Sequence, residues 1–418
     1  MNKQERILVD VGSSTIKAYH YYDKLNLLVQ ESVHFKDGFT PQEGLREIAK
    51  KRLFDLINAI REENKILPIK TYATGIFRKL ESKAKLNLID EFFEKTGVFL
   101  NIIPQELENF YLETALMGKF LSKEPVLLIN IGGGSTELVV TYGKEAVERI
   151  NLEFGVGNIN TYFEGINNQL YSVKIEDIID YVKSKLPELL NKPRIAFYTG
   201  GELNYMKLAG YPLLENNLFQ DDEHPFIILI EEFSKKNKEV FESISLNDLE
   251  LLMPQNLKWM HGARGCSAIA QAICEKYGVK TIIPSDSNLI NGVVRQEFRT
   301  ATLSGSFRKH LNYILEFKKE LENNGVKILS PRFIEPKNSG EEFVVFSGEE
   351  GLSPLQLERH HLESILNSDA LVVCSPGGYV GASALLEIGF AHAIGKRIIF
   401  TEKPEEFMLN TLPAEIGL

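Results

Sequence analysis

The chain has only three cysteines, Cys266, Cys274 and Cys374, an odd number without the spacing of metal ligands. That argues against a disulfide framework or a thiolate-held metal and leaves buried thiols. No apolar run is long enough to span a bilayer, so no membrane segment is expected. Basic residues are in deficit, 47 Lys and Arg against 57 Asp and Glu, for a net charge of -10. A broad nucleic-acid surface, which needs clustered Lys and Arg, is therefore disfavoured, whereas small phosphorylated ligands held by glycine loops stay open. The start, Met1 to Arg6, runs into a strand without the apolar core of a signal peptide, which makes a cytoplasmic location the expectation.

What is present is the composition of a soluble globular protein, 44% hydrophobic and 25% charged over 418 residues, a length that suggests about three domains. The stretch Leu127-Leu-Ile-Asn-Ile-Gly-Gly-Gly-Ser-Thr-Glu-Leu-Val-Val140 organises the first part. An apolar strand enters three glycines, Gly132, Gly133 and Gly134, and leaves as a second strand. Backbone N–H groups there can approach an anion, Ser135 and Thr136 add hydroxyls, and Glu137 adds a carboxylate. A plain hairpin is the alternative, but it needs only one or two glycines. Ile7 to Lys17 is a second such unit, with Asp10 ahead of a turn holding Gly12, Ser13 and Ser14. Two units of this kind suggest related halves facing one ligand. Helices are expected over Pro41 to Asn64, Leu86 to Gly97 and Gln105 to Phe120, and strands over Ile66 to Thr74 and Val98 to Ile103, an α/β pattern. Ala73-Thr-Gly-Ile-Phe-Arg78 ends a strand and opens a helix, where Arg78 is either an anion contact or a solvated surface residue.

Asp10-Val-Gly-Ser-Ser, Ala73 to Arg78, Ile103-Pro-Gln-Glu-Leu-Glu108, Asn130 to Glu137 and Thr199-Gly-Gly201, in that order, resemble the exopolyphosphatase/guanosine-pentaphosphate phosphatases from about residue 5 to 298. The resemblance implies an actin-like ATPase fold of two ribonuclease-H-like halves, 1–125 and 126–299, with phosphate loops meeting in a cleft. It further implies phosphate contacts at Arg78, Asn130, Gly200, Gly201 and Arg264, support of water attack by Glu137 and Glu108, and Mg²⁺ near Asp10 and Glu137. Departures stand out. Asn130 replaces the usual Asp, Leu107-Glu108 keeps one of two paired Glu, and Glu202 and Cys266 replace a small hydroxyl residue and an Asp. An uncharged Asn130 weakens the case for metal-assisted hydrolysis. From Val173 to Glu297 the pattern reads as mostly helical, with strands at Arg194 to Thr199 and Lys280 to Pro284 and a closing helix from Asn288. His261 reads as a partly buried, hydrogen-bonded residue rather than a functional one.

After Phe298 the chain restarts without a flexible linker as a small parallel-sheet, Rossmann-like α/β domain, 300–418. Strands are expected at Val326 to Ser330, Ala370 to Cys374 and Arg397 to Thr401, with helices over Lys309 to Asn323, Pro354 to Leu366 and Ala382 to Ile394 and a last helix at the end. The polar stretch up to Ser353 has the character of a lid. Ser304-Gly-Ser-Phe-Arg308 makes an anion site at a helix start, and Pro376-Gly-Gly378 with Gly381 leads into a helix carrying a lone acid, Glu387, among Ala, Leu, Ile and Phe. Such an acid is either a buried liability or a poised carboxylate, with a surface Glu on an amphipathic helix as the bland alternative.

This part resembles nucleoside 2-deoxyribosyltransferases and nucleotide N-glycosidases. The resemblance implies Glu387 as nucleophile, Asp369 as acid or orienting group, Ser304, Gly305, Ser306 and Arg308 as sugar or phosphate contacts, and no cofactor. The expected whole is N-glycosidic cleavage or base transfer in the C-terminal part, joined to a module that hydrolyses or senses a phosphorylated ligand, in a stress or antiphage response. The rivals are a phosphohydrolase with a nucleotide-binding regulatory domain and a non-enzymatic nucleotide sensor. A homodimer is expected from the resemblance alone.

Overall fold

The computed structural model describes residues 5–417 apart from 14, 118, 119, 121, 144, 169–172, 201, 222, 255, 256 and 339–343. Its backbone groups into two compact units, Met1–Phe110 with Val293–Leu418, and Tyr111–Gly292.

The first unit begins with a four-stranded sheet of β1 (Arg6–Val11), β2 (Thr15–Tyr21), β3 (Leu25–Ser32) and β4 (Ile69–Ala73), in the order β3-β2-β1-β4. Only the β1 and β4 pair is parallel. β1 is buried almost throughout, as expected for a strand covered on both faces, whereas β3 is largely exposed at the edge. Leu53, Phe54 and Ile57 of the helix Glu47–Glu63 and Phe92 of the helix Ser82–Thr96 pack in this core with Ile7 and Val9. The first of these helices starts later than expected, because a turn bridging Thr40 and Gly44 precedes it. Val98 to Ile103 is not a strand: only one bridge, Ala73 to Ile102, forms before Pro104 leads into the helix Gln105–Met117.

The second unit holds a seven-stranded sheet of β5 (Val126–Ile131), β6 (Thr136–Tyr142), β7 (Glu145–Leu152), β8 (Ile195–Thr199), β9 (Leu214–Glu215), β10 (Phe226–Leu229) and β11 (Thr281–Ser285), in the order β7-β6-β5-β8-β11-β10-β9. β8 runs parallel to both β5 and β11. The helix Leu257–Tyr277 buries Ala268, Ile269, Ala272 and Ile273 in the main core of this unit. β9 and β10 lie in a stretch read as helical, since strands this short carry too little periodicity to be recognised.

The first unit also contains β12 (Thr300–Gly305), β13 (Lys327–Ser330), β14 (Ala370–Cys374), β15 (Arg397–Phe400) and β16 (Glu415–Ile416), in the order β13-β12-β14-β15-β16 with every pair parallel. The helices Phe307–Asn323, Pro354–Asn367 and Ala382–Ala393 alternate with these strands. The expected last helix is instead a short turn, Met408–Thr411, followed by β16, because Pro413 bars continuation. A buried ionic group ties this sheet to the first one. Glu297 accepts from Lys70 of β4 and from Arg397 of β15 at 2.6 Å, and Arg397 also donates to Glu415 at 2.7 and 2.8 Å. Burial opposes the charge on Glu297, but Lys70, Arg397 and Arg6 outweigh it and hold its pKa well below the usual range.

Candidate functional site

At the end of β1, Gly12 N–H donates to the Thr15 carbonyl at 2.9 Å and closes the turn. Ser13 Oγ accepts the N–H of Ile76 at 3.0 Å, so this turn is latched to the segment after β4. Gly75 makes the latch fit: its φ is +63°, and a Cβ there would stand 2.0 Å from Ser13 Oγ. Asp10 Oδ1 is buried without a hydrogen-bond partner, and burial, with Glu108 adding to it against Lys17, pushes the carboxyl up to about 7. Arg78 donates to Glu108 and Gln105, so one part-buried cluster holds the expected phosphate contact and an expected catalytic carboxylate together.

In the other unit, Gly132 N–H donates to the Ser135 carbonyl at 2.8 Å, while Val156 and Gly157 N–H donate to the Gly132 and Gly133 carbonyls at 3.0 and 2.8 Å. A Cβ on Gly155 would stand 2.2 Å from the Gly132 oxygen, so the glycine-rich loop rests on bare backbone. Gly133 and Gly134 remain exposed. Glu137, at the start of β6, is buried, with Asn130 Nδ2 donating to Oε2 at 2.9 Å and Ser135 Oγ donating to Oε1 at 2.7 Å. An Asp at 130 would face that carboxylate across the same short gap; Asn130 replaces repulsion with a hydrogen bond. Gly200 follows Thr199 at the end of β8. Among the described residues no group of three or more His, Cys, Asp and Glu is gathered as metal ligands.

A cavity of about 340 Å³ opens at the carboxyl ends of β12 and β13. β12 lies between its two neighbours, so successive crossovers leave it in opposite directions, the place where open parallel sheets form ligand crevices. Glu387, only 4% exposed, reaches it from the helix Ala382–Ala393. His361, on the neighbouring helix Pro354–Asn367, places Nε2 3.2 Å from Glu387 Oε2 and Nδ1 2.7 Å from Ser330 Oγ. Burial alone lowers the imidazole pKa, yet Glu387, Glu358 and Glu349 outweigh it and the net shift is upward. Glu358, one turn before His361, is pushed up by burial and then by Glu387. Arg308 lines the same cavity, and Phe307 and Phe346 meet edge to face with centroids 5.7 Å apart.

Residues 27–283, more than half of the chain, match the model of the Ppx/GppA phosphatase family. The chain belongs to this family. Members are phosphohydrolases by the family's description, and the matched segment ends before β12, so the cavity at Glu387 lies outside it. A curated relative, the bifunctional 3-dehydroquinate synthase/phosphatase of Fusobacterium nucleatum subsp. nucleatum, is 25% identical over 299 residues, 68% of this chain and 43% of the relative. The chain thus spans less than half the length of that relative. Among solved structures, the Ppx/GppA family member of Aquifex aeolicus is 18% identical with a TM-score of 0.52, covering 76% of this chain and 98% of the other. An exopolyphosphatase from Cytophaga hutchinsonii is 16% identical with a TM-score of 0.56, covering 70% and 97%. These likenesses show the actin-like Ppx/GppA fold.

Within this Ppx/GppA chain several expected residues take other roles. Arg264 is buried and donates to the carbonyls of Ile244 and Ile166 and to Asn167 Oδ1, which fastens loops, while its Nε is left without a hydrogen-bond partner. Thr136 is buried and donates to the Phe154 carbonyl at 2.8 Å. Ser304 is fully buried inside β12 with its Oγ without a hydrogen-bond partner, whereas Ser306 caps the helix Phe307–Asn323 by accepting the Lys309 N–H at 3.4 Å. Gly305 and Gly381 line the cavity, but Gly377 and Gly378 spend their N–H groups within the fold, on Glu402 Oε2 and the Ser375 carbonyl, both at 2.9 Å. His261 is about half exposed, nearer solvent than expected, and meets Glu250 at 2.6 Å. Ser14 and Gly201 lie outside the described residues.

Asp369 is the main correction. It precedes β14, at the sheet's amino edge, and its Oδ2 accepts the N–H groups of Arg299 and Thr300 at 2.9 and 2.8 Å. Glu387 lines the cavity at the opposite, carboxyl edge, so the structure does not bring the two acids together. His361, Glu358, Ser330 and Phe346 went unnoticed in the sequence. The spacing of Glu358 and His361, one helical turn apart, was the available signal, but on a polar helix it looks like a solvated face.

Proposed function

We propose that the C-terminal module cleaves the N-glycosidic bond of a nucleoside or nucleotide, and that the Ppx/GppA portion binds a phosphorylated ligand and hydrolyses or senses it. The observation that carries the first part is Glu387, buried at the switch-point cavity with one oxygen beside His361. His361 holds that oxygen, which orients the carboxylate for attack on the anomeric carbon. As the new C–O bond forms, the bond to the base nitrogen breaks and its electron pair leaves with the base. Water then hydrolyses the glycosyl ester. The aromatic pair Phe307 and Phe346 offers an apolar wall for base or sugar. Resemblance to nucleoside 2-deoxyribosyltransferases supports the same assignment.

For the Ppx/GppA portion, the unpartnered buried oxygen of Asp10 fits a Mg²⁺ ion, which when bound would polarise a phosphoryl oxygen. Asp10 would hold the cation, and in the other unit the Glu137 carboxylate is kept in place by Asn130 and Ser135. The Fusobacterium relative, a bifunctional 3-dehydroquinate synthase/phosphatase, couples a phosphatase to a second enzyme and supports a bifunctional arrangement. The rival reading, a phosphohydrolase whose C-terminal module only binds nucleotides, draws on the family match.

Incubation with nucleosides, nucleotides and NAD, with and without polyphosphate and Mg²⁺, followed by chromatography, separates the readings. Free base that disappears in Glu387→Gln supports the proposal. Phosphate without free base, retained in Glu387→Gln and lost in Glu137→Gln, overturns it in favour of the rival.

A further inference from the structure

The displacement of Asp369 to the opposite edge of the sheet leaves the proposed reaction without the acid assigned to it. A departing purine or pyrimidine is a poor leaving group unless its nitrogen receives a proton. The cavity itself offers a replacement. Its charged lining residues, among those described, are Arg308 from the helix Phe307–Asn323, Glu349 from the preceding polar stretch, Glu358 and His361 from the helix Pro354–Asn367, and Glu387. His361 turns Nδ1 to Ser330 Oγ at 2.7 Å and Nε2 to Glu387 Oε2, an ion-pair contact at 3.2 Å that falls short of hydrogen-bond geometry. Glu358 also brings to the cavity a buried Oε1 without a hydrogen-bond partner.

Resting on the N-glycosidic reading above, we propose that Glu358 is the catalytic acid of this cavity, donating a proton to the base nitrogen as Glu387 attacks the anomeric carbon. The proton moves from the Glu358 carboxyl to the base, the C–N bond breaks with its electron pair on that nitrogen, and the Glu387 oxygen bonds to the sugar. In the second half the Glu358 carboxylate takes a proton from the attacking water, the ester bond to Glu387 breaks, and both residues return to their starting states. No redox partner is needed. Burial and the neighbouring Glu387 raise the Glu358 pKa, while His361 opposes the shift, and that net rise favours a protonated carboxyl ready to donate.

The division of labour is tested by leaving group. Nicotinamide departs from its cationic nucleoside as a neutral molecule, and 4-nitrophenolate departs from a 4-nitrophenyl glycoside without needing a proton; adenine and hypoxanthine do need one. Glu358→Gln is expected to slow release of adenine or hypoxanthine by about 10²-fold or more and to change release of the activated groups by less than about threefold. The alkaline fall of the wild-type pH profile, measured on release of adenine or hypoxanthine, is expected to vanish in Glu358→Gln and to return in Glu358→Asp. Activity on the activated groups shows that the variant is folded. Equal slowing of all substrates, or an unchanged pH profile, overturns the role of Glu358. Absence of base release from every substrate in the wild type instead sinks the underlying glycosidic reading.

Discussion

Nε2 of His361 lies 3.2 Å from Oε2 of Glu387, and on its other side the ring meets Ser330 Oγ at 2.7 Å. Two elements distant in sequence thus hold one carboxylate from a fixed direction. Helix Pro354–Asn367 brings the imidazole, and the end of β13 brings the hydroxyl that sets its orientation. A lone acid among apolar residues becomes a directed group by this contact.

His361→Asn is expected to reduce kcat for base release by about 10- to 100-fold with KM little changed, since it positions Glu387 without binding substrate. The pair also leaves a trace in stability. The folded pKa of His361 is raised, so its contribution is complete below the unfolded value, about 6.5, and is lost as pH rises through the folded value. Denaturant melts across this range should show the loss in the wild type and not in His361→Asn.

Asp369→Ala is expected to lower stability by about 1–3 kcal/mol, because two backbone N–H groups at the start of β12 lose their acceptor. Turnover per folded molecule should remain near wild type. A selective loss of kcat in a fully folded variant would return Asp369 to the chemistry.

Gly75→Ala forces a Cβ into Ser13 Oγ at a left-handed φ of +63°, with an expected cost of about 1–3 kcal/mol. Calorimetry should show a lowered Tm. Isothermal titration with polyphosphate should show weaker binding, since the turn after β1 is displaced, while base release stays intact.

Asp10 titrates at about 7 in the folded chain. The unfolded chain ionises first, near pH 4, so rising pH destabilises the fold between about 4 and 7 and has no further effect above that. In metal-free buffer, Asp10→Asn should remove this slope from the urea midpoints. An identical slope in the variant would assign it to another group.

Glu297→Gln leaves Lys70 and Arg397 buried with their shared carboxylate removed, and a loss of about 3–5 kcal/mol is expected. Glu297 is held ionised in the fold, so its contribution is present above the unfolded carboxylate pKa and falls as pH drops. The gap in urea midpoint between the wild type and Glu297→Gln should therefore be wider at pH 7 than at pH 3.

Local signals carried much of the architecture. The apolar strands that enter Gly12 and Gly132, the alternation of helices and strands after Phe298 and the helix that bears Glu387 were all readable, because turn chemistry and hydrophobic periodicity act over a few residues. Motif order was enough to point to the Ppx/GppA family, which the match over 27–283 bears out. Tertiary structure alone decided which polar groups meet. Arg264 and Thr136 look like ligand contacts beside their motifs, yet both terminal nitrogens of Arg264 and the Thr136 hydroxyl donate to carbonyls far along the chain. Asp369 and Glu387 flank the same strand in sequence, but a parallel sheet has two ends, and only its carboxyl end opens on the cavity. His361 and Glu358 look like one polar helix face until the fold turns that face inward. Periodicity tells which side of an element is apolar; the packing of other elements against it determines whether a polar side meets water or another acid.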